Sequence, residues 1–140
     1  MGLAIACLML PPTAIADEDN RRCSHATLKG DYGLSASGIR GIGPGVTEMF
    51  VLTGVRTYDG NGGFTTVSSI HGQMTGASRD LTATGTYQVN ADCTGTATVV
   101  ITGLAAPLVS SFVIVKRGKE IKEATMGPST DLATATLTKQ

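Results

Sequence analysis

The chain has 140 residues, and its 11 Lys and Arg residues balance 11 Asp and Glu residues. A chain with no net charge produces no field that attracts nucleic acid or an anionic membrane, so we expect neither as a partner. Aromatic residues make up 4% and charged residues 16%, whereas Gly (18 residues) and Thr are abundant. This composition suits one domain of strands and tight turns, because Thr favours a pleated surface and Gly supplies positive φ.

The N-terminal segment has the features of a secretory signal peptide. A short apolar run, Gly2–Leu10, precedes an A-x-A cleavage site that ends at Ala16, although no Lys or Arg comes before the run. The run is too short to span a bilayer. We expect residues 1–16 to be the signal peptide, residues 17–27 a tail and residues 28–140 a β-barrel domain. The mature protein would have no transmembrane segment and would be secreted or periplasmic.

Two cysteines, Cys23 and Cys93, would remain after that cleavage. In an oxidising compartment an even pair favours a disulfide, and two buried reduced thiols are the alternative. The bond would close a loop of about 70 residues and contribute roughly 4 kcal/mol in the chain-entropy model. It would anchor the tail to the centre of the chain.

Alternation of apolar and polar residues predicts eight strands in succession. Their approximate bounds are Leu28–Gly38, Val46–Tyr58, Phe64–Gln73, Thr82–Val89, Thr96–Ile101, Pro107–Lys116, Glu120–Met126 and Asp131–Thr138. Segments rich in Gly, Pro, Asn or Asp separate them and predict turns or loops. The main ones are Ile39–Gly45, Asp59–Gly63, Met74–Arg79 and Asn90–Gly95.

Eight consecutive strands at hairpin spacing favour an all-β fold, a single antiparallel up-and-down barrel. Closure of eight strands into a barrel removes the exposed edges of the sheet. The alternative is a two-sheet β-sandwich, whose connections would have to cross over. No segment shows helical periodicity over three turns.

One face of the predicted strands is rich in small residues. They include Ala83, Gly85, Ala97, Ala133 and Ala135. An eight-stranded barrel must fill its interior with bulky side chains or leave room for one small ligand, and both outcomes stay open. We expect a small, largely apolar ligand. The side chains expected to contact it are four wall residues and one charged residue near a mouth of the barrel: Tyr32, Phe50, Tyr87, Ile101 and Arg56.

The second predicted strand carries two charged residues among apolar ones. Glu48 and Arg56 share the face of Phe50 and Leu52. They are about 26 Å apart along an extended strand, too far to pair with each other. If this face is the lumen, each charge lies near one end of the barrel. Exposure to solvent beyond the rim of the sheet is the alternative.

No motif in the sequence indicates catalysis. His25 and His71 are the only histidines, and oxidised cysteines provide neither a zinc ligand nor a thiolate nucleophile. We therefore expect a non-catalytic protein without catalytic residues, metal ligands or a cofactor. One alternative is a cyclase- or isomerase-like enzyme, which would have a buried carboxylate or Arg with a perturbed pKa in its lumen. Another is a structural or surface-interaction protein with a filled core.

Several segments resemble, in the same order, a group of small exported bacterial proteins with no settled activity. The matching segments are Cys23–Ser24, Ala26–Gly33, Tyr58–Gly62, Gly85–Asn90, Asp92–Thr96 and Gly118–Ile121. Together they extend over nearly the whole mature chain. The pattern is also similar to calycin-like and allene-oxide-cyclase-like small barrels. These include both ligand carriers and cyclases, so the resemblance implies a fold and not a function.

Overall fold

The computed structural model of the chain describes residues 22–104 and 106–140. Eight strands make up most of this part: β1 Lys29–Gly43, β2 Val46–Asp59, β3 Gly63–Gly72, β4 Gly76–Val89, β5 Thr94–Ile101, β6 Leu108–Val115, β7 Glu120–Gly127 and β8 Leu132–Lys139. Two 3-10 helices, His25–Thr27 and Lys116–Gly118, are one turn long. None of the helices in the described residues is long and apolar enough to cross a membrane. The predicted signal peptide, residues 1–16, lies outside the described residues.

The strands form a closed antiparallel barrel in up-and-down order. Each strand pairs with the next along the chain, and β1 pairs with β8 to complete the ring. Ser35 of β1, for example, lies opposite Thr53 of β2 on one side and Thr136 of β8 on the other. This closure confirms the predicted barrel and excludes the sandwich. It also leaves the sheet without a free edge that could pair with another chain.

Two strands are longer than predicted, because cross-strand pairing outweighs the glycine-rich composition of their ends. β1 continues to Gly43, and Ile39 pairs with both Met49 and Leu132. Only Pro44 and Gly45 form the turn to β2, and Gly45 has a φ of +68°, which glycine adopts without strain. The loop predicted over residues 39–45 is therefore two residues long. β4 begins at residue 76 and not at residue 82, since residues 76–78 pair with residues 70–72 of β3.

Residues 23–28 cover one end of the barrel, which we call the closed end. Cys23 is bonded to Cys93, 70 residues further along the chain, so the predicted disulfide is confirmed. The Cys23 amide also donates to the Ala91 carbonyl at 3.1 Å. Leu28, which follows the first 3-10 helix, is fully buried. Residues 23–28 thus act as a plug that is fixed at both of its ends.

The half of the lumen next to this plug is filled by aromatic side chains. Tyr32, Tyr58 and Tyr87 are each at most 2% exposed. The Tyr58 ring centroid lies 5.3 Å from that of Tyr32 and 5.2 Å from that of Tyr87, both in edge-to-face geometry. Such contacts stabilise aromatic clusters beyond the burial of their surface. This cluster forms the core of the closed end.

Small residues on the inner face make room for the rings of the neighbouring strands. A Cβ atom on Gly85 would lie 2.2 Å from Cζ of Phe64, and one on Gly95 would lie 2.2 Å from Cζ of Phe112. Real Cβ atoms do not approach other carbons so closely. The two glycines therefore accommodate the phenylalanine rings.

Candidate functional site

The other half of the lumen contains a cavity of about 130 Å³. Most of its wall is aliphatic or aromatic and includes Leu34, Phe50, Leu52, Val99, Ile101 and Leu108. Several inward-facing wall residues, among them Leu52, Ile101 and Ala133, are only half-buried. Because these side chains point into the barrel, their exposure shows that the cavity opens to solvent at the end opposite the plug. We call this the open end.

A buried ion pair forms the floor of the cavity. Arg56 of β2 places Nη1 2.7 Å from Oε2 of Glu123 of β7, and the two side chains are only 6% and 9% exposed. β2 and β7 are not neighbours in the sheet, because β1 and β8 lie between them. The ion pair therefore crosses the lumen and separates the filled half from the open half.

Further hydrogen bonds hold both charged groups in place. Arg56 Nε donates to the Thr66 hydroxyl at 3.3 Å, and Nη1 also donates to the Tyr58 hydroxyl at 3.3 Å. The Ser110 hydroxyl donates to Oε1 of Glu123 at 2.9 Å. The guanidinium carbon lies 4.5 Å from the Phe64 ring centroid, within the range of a cation–π contact. Contacts from several strands thus fix the pair in one geometry.

The surroundings keep the guanidinium and the neighbouring phenol protonated. Burial by itself would lower the pKa of Arg56, but the charge of Glu123 and the contact with Tyr58 outweigh burial and raise it. Burial raises the pKa of Tyr58 to about 12, although the nearby Arg56 opposes this shift. A general acid or base works best with a pKa near the operating pH. Neither Arg56 nor Tyr58 meets this condition.

The rim of the open end has a second buried carboxylate, Glu48, with its own set of hydrogen bonds. Glu48 is 2% exposed, which excludes the predicted alternative that it extends into solvent. Its Oε2 accepts the amides of Met74 and Thr75 at 2.9 and 3.0 Å. Its Oε1 accepts the Thr75 hydroxyl at 2.6 Å and Nε of Arg40 at 2.8 Å. The Thr75 hydroxyl, together with the Met74 amide and Arg40, lowers the pKa of Glu48 to about 2 against the effect of burial. Glu48 therefore ties the turn between β3 and β4 to the start of β2.

Three of the five side chains predicted to contact a ligand line the same cavity. They are Phe50, Arg56 and Ile101. Phe50 and Ile101 belong to the wall. Arg56 was expected near a mouth of the barrel but lies inside at the floor, because Glu123 holds it there from across the lumen.

The other two predicted contacts, Tyr32 and Tyr87, do not line this cavity. Both belong to the packed cluster of the closed end, where their hydroxyls bond to backbone carbonyls. Tyr32 donates to Gly118, and Tyr87 donates to His25 at 2.9 Å and Leu28 at 3.1 Å. The two tyrosines therefore attach the plug and the β6–β7 turn to the barrel.

Sequence reasoning missed three polar residues of the floor, namely Thr66, Ser110 and Glu123. A signal for them was present in the alternation. Glu123 has the same parity as the fully buried Ile121, and Ser110 has the same parity as the buried Phe112. Each therefore had to face the lumen. One Arg and one Glu on inward faces of different strands would have suggested an ion pair.

A larger depression of about 830 Å³ lies on the outer surface of the barrel. Its lining combines Ser and Thr side chains from β1, β2, β3, β4 and β8, most of them exposed, with apolar residues and with His71 and Arg79. A ligand there would keep much of its surface in water, whereas binding sites bury most of a ligand. Across residues 22–104 and 106–140, no group of three or more His, Cys, Asp or Glu side chains could hold a metal ion. The lumen is the better candidate site.

No protein-family model matches the sequence, and no curated protein matches it significantly. The chemistry of the lumen residues must therefore indicate what the barrel does. The relevant features are an apolar wall, an opening at one end and a fixed ion pair at the floor.

Proposed function

We propose that this protein is a non-catalytic binding module that takes a small, largely apolar molecule into the open half of its barrel. The observation that supports this function is the 130 Å³ cavity with its aliphatic wall and its Arg56–Glu123 floor. Concave apolar sites with a few convergent polar groups are the usual form of small-molecule sites. A barrel without a ligand role would be expected to fill this space with side chains, as the closed half does.

The volume of the cavity limits the size of the ligand that it can enclose. An apolar protein cavity of about 150 Å³ can hold benzene. The enclosed part of the ligand would thus be about six to ten non-hydrogen atoms, such as one ring or a short branched chain. A longer molecule would extend through the open end, where Phe50 and Ala133 line the way out.

A cyclase- or isomerase-like enzyme is the second candidate, favoured by the buried Arg56 and Glu123 beside the cavity. Binding is the better proposal, because the two groups neutralise each other and are held by neighbours. Arg56 has a raised pKa, and each Glu123 oxygen already accepts a hydrogen bond. Such a pair orients a polar group on a ligand more readily than it transfers a proton.

We further propose that the protein works outside the cytoplasm. A disulfide is typical of oxidising compartments. The signal-peptide pattern of residues 1–16 and the resemblance to small exported bacterial proteins support the same location. The calycin-like resemblance includes ligand carriers, which agrees with a binding role.

Toluene, a one-ring apolar probe, tests the binding function. Binding at ten times Kd would stabilise the barrel by about 1.4 kcal/mol and raise Tm by roughly 5 °C. Ala135→Leu fills part of the cavity and should abolish the shift, since Ala135 lines it. Ala77→Leu is the matched control on the exposed outer face and should keep the shift. A Tm that toluene does not change, or a shift that survives Ala135→Leu, would contradict binding in the lumen.

The same samples distinguish binding from catalysis. A non-catalytic barrel should release its ligand unchanged, as gas chromatography of the extracted probe would show. Conversion of an unsaturated or epoxide probe that depends on Arg56 and Glu123 would instead favour the enzyme.

A further inference from the structure

We propose, on the basis of the binding function above, that the ligand is an uncharged molecule with a hydrogen-bond acceptor at its buried end, such as a ketone, aldehyde or ester carbonyl. Four features of the floor point to this class: an unused charged donor, a carboxylate whose two oxygens each already accept a hydrogen bond, cancelled charges and the small volume of the cavity.

The unused donor is Nη2 of Arg56. The guanidinium has five N–H groups, and the bonds to Thr66, Tyr58 and Glu123 use only Nε and Nη1. Among the described residues, every fully covered side-chain nitrogen or oxygen has a hydrogen-bond partner. Nη2 makes no such bond, so it must border open space, and Arg56 lines the cavity. It offers a charged N–H donor to whatever occupies the lumen.

The charged acceptor at the floor, Glu123, already accepts a hydrogen bond at each of its two oxygens. Glu123 accepts from Arg56 through Oε2 and from Ser110 through Oε1. The Thr66 hydroxyl accepts from Nε of Arg56. The strongest free hydrogen-bonding group is therefore a donor, and it calls for an acceptor on the ligand.

The charges at the floor exclude an ionised ligand. Arg56 and Glu123 cancel each other at a distance of 2.7 Å, so the floor carries no net charge. A carboxylate ligand would bring a second negative charge close to Glu123, and an ammonium ligand would bring a second positive charge close to Arg56. Either would lose its hydration without an unpaired countercharge to offset the loss. A carbonyl oxygen accepts from Nη2 without this cost.

Three probes built on one six-membered ring test the proposal: cyclohexanone, methylenecyclohexane and cyclohexanecarboxylate. Their dissociation constants would be measured by calorimetry at neutral pH on the wild type and on Arg56→Met/Glu123→Leu. The double variant removes both charges together, which is often tolerated in protein interiors. We expect the Kd ratio of methylenecyclohexane to cyclohexanone to fall about tenfold in the variant, because it lacks the charged donor. We also expect the wild type to bind the carboxylate at least tenfold more weakly than the ketone.

A second measurement needs no variant. The C=O stretch of bound, isotope-labelled cyclohexanone should lie below its frequency in hexane, because a hydrogen bond from a guanidinium weakens the carbonyl bond. An unshifted stretch, an unchanged Kd ratio or tighter binding of the carboxylate would overturn the carbonyl proposal. In each case binding of methylenecyclohexane would leave the binding function intact. If none of the three probes binds, both the carbonyl proposal and the binding function are wrong.

Discussion

Arg56 and Glu123 lie 67 residues apart on strands that are not paired in the sheet, yet Nη1 and Oε2 of the two side chains meet across the lumen at 2.7 Å. The pair separates two halves of one barrel that differ in their packing. On one side the tyrosine cluster fills the interior, and on the other a cavity remains. A buried pair of this kind contributes little to stability compared with apolar side chains, but loss of one partner is costly.

Removal of one member of the Arg56–Glu123 ion pair should therefore destabilise the barrel more than removal of both. Glu123→Leu leaves the guanidinium of Arg56 buried without a countercharge, and we expect it to lower the free energy of unfolding by about 3–5 kcal/mol. The additional change Arg56→Met should restore most of the loss. Urea unfolding of the two variants and the wild type measures both steps. A double variant as unstable as Glu123→Leu would contradict this account of the floor.

Glu48 should make the barrel sensitive to acid. Its pKa is lowered from 4.5 to about 2, chiefly by the Thr75 hydroxyl, so the folded state favours the carboxylate. The stabilisation is present above pH 4.5 and is lost as the pH falls towards 2. We expect the stability difference between wild type and Glu48→Gln to be constant near neutral pH and to shrink over this window. Urea midpoints at several pH values measure it, and a difference that persists at pH 2 would refute the role of Glu48.

The tyrosine cluster should limit stability in alkali. Burial raises the pKa of all three tyrosines, that of Tyr58 to about 12. Folding therefore favours the neutral phenols, and the stability present below pH 10 is lost as the pH rises through the folded values. The chain has three Tyr and no Trp, so near-ultraviolet phenolate absorbance reports on this cluster alone. We expect ionisation and unfolding to coincide.

Tyr58→Phe is the control for the alkaline transition. It removes the phenol with the pKa of about 12 and keeps the ring between Tyr32 and Tyr87. The loss of stability above pH 10 should become smaller in this variant. Phenolate absorbance that rises near pH 10 while the fold stays intact would show that the hydroxyls are not held as described.

Reduction of the Cys23–Cys93 bond should weaken the whole barrel, because the bond joins the plug to the β4–β5 turn across 70 residues. The chain-entropy model gives a loss of roughly 4 kcal/mol for a loop of this length. The measurement is urea unfolding with and without reductant. The double variant Cys23→Ser/Cys93→Ser serves as a control whose stability should not respond to reductant. A wild type that reductant does not destabilise would contradict the prediction.

An even pair of cysteines after a signal-peptide pattern favoured the disulfide. The sequence by itself also determined the all-β class, the approximate positions of the strands and which side chains share one face of a strand. These follow from local patterns, since alternation with a period of two assigns each side chain to one face of a strand. Phe50 and Ile101 could be assigned to the wall of a lumen for this reason alone. Alternation put Glu48 and Arg56 on one face of β2 with Phe50, but only their burial in the folded barrel shows that this face is the inner one.

Only the tertiary structure decided which inward side chains meet. The height of a residue in a barrel depends on the tilt of its strand and on the register of every hairpin before it, and no local pattern encodes that sum. The combined tilt and register brought Arg56 next to Glu123 and not to a mouth of the barrel. It placed Tyr32 and Tyr87 in the closed end, where carbonyls of the plug and the β6–β7 turn accept from their hydroxyls. The division of one lumen into a packed half and an open half therefore results from the tilt and register of the eight strands together.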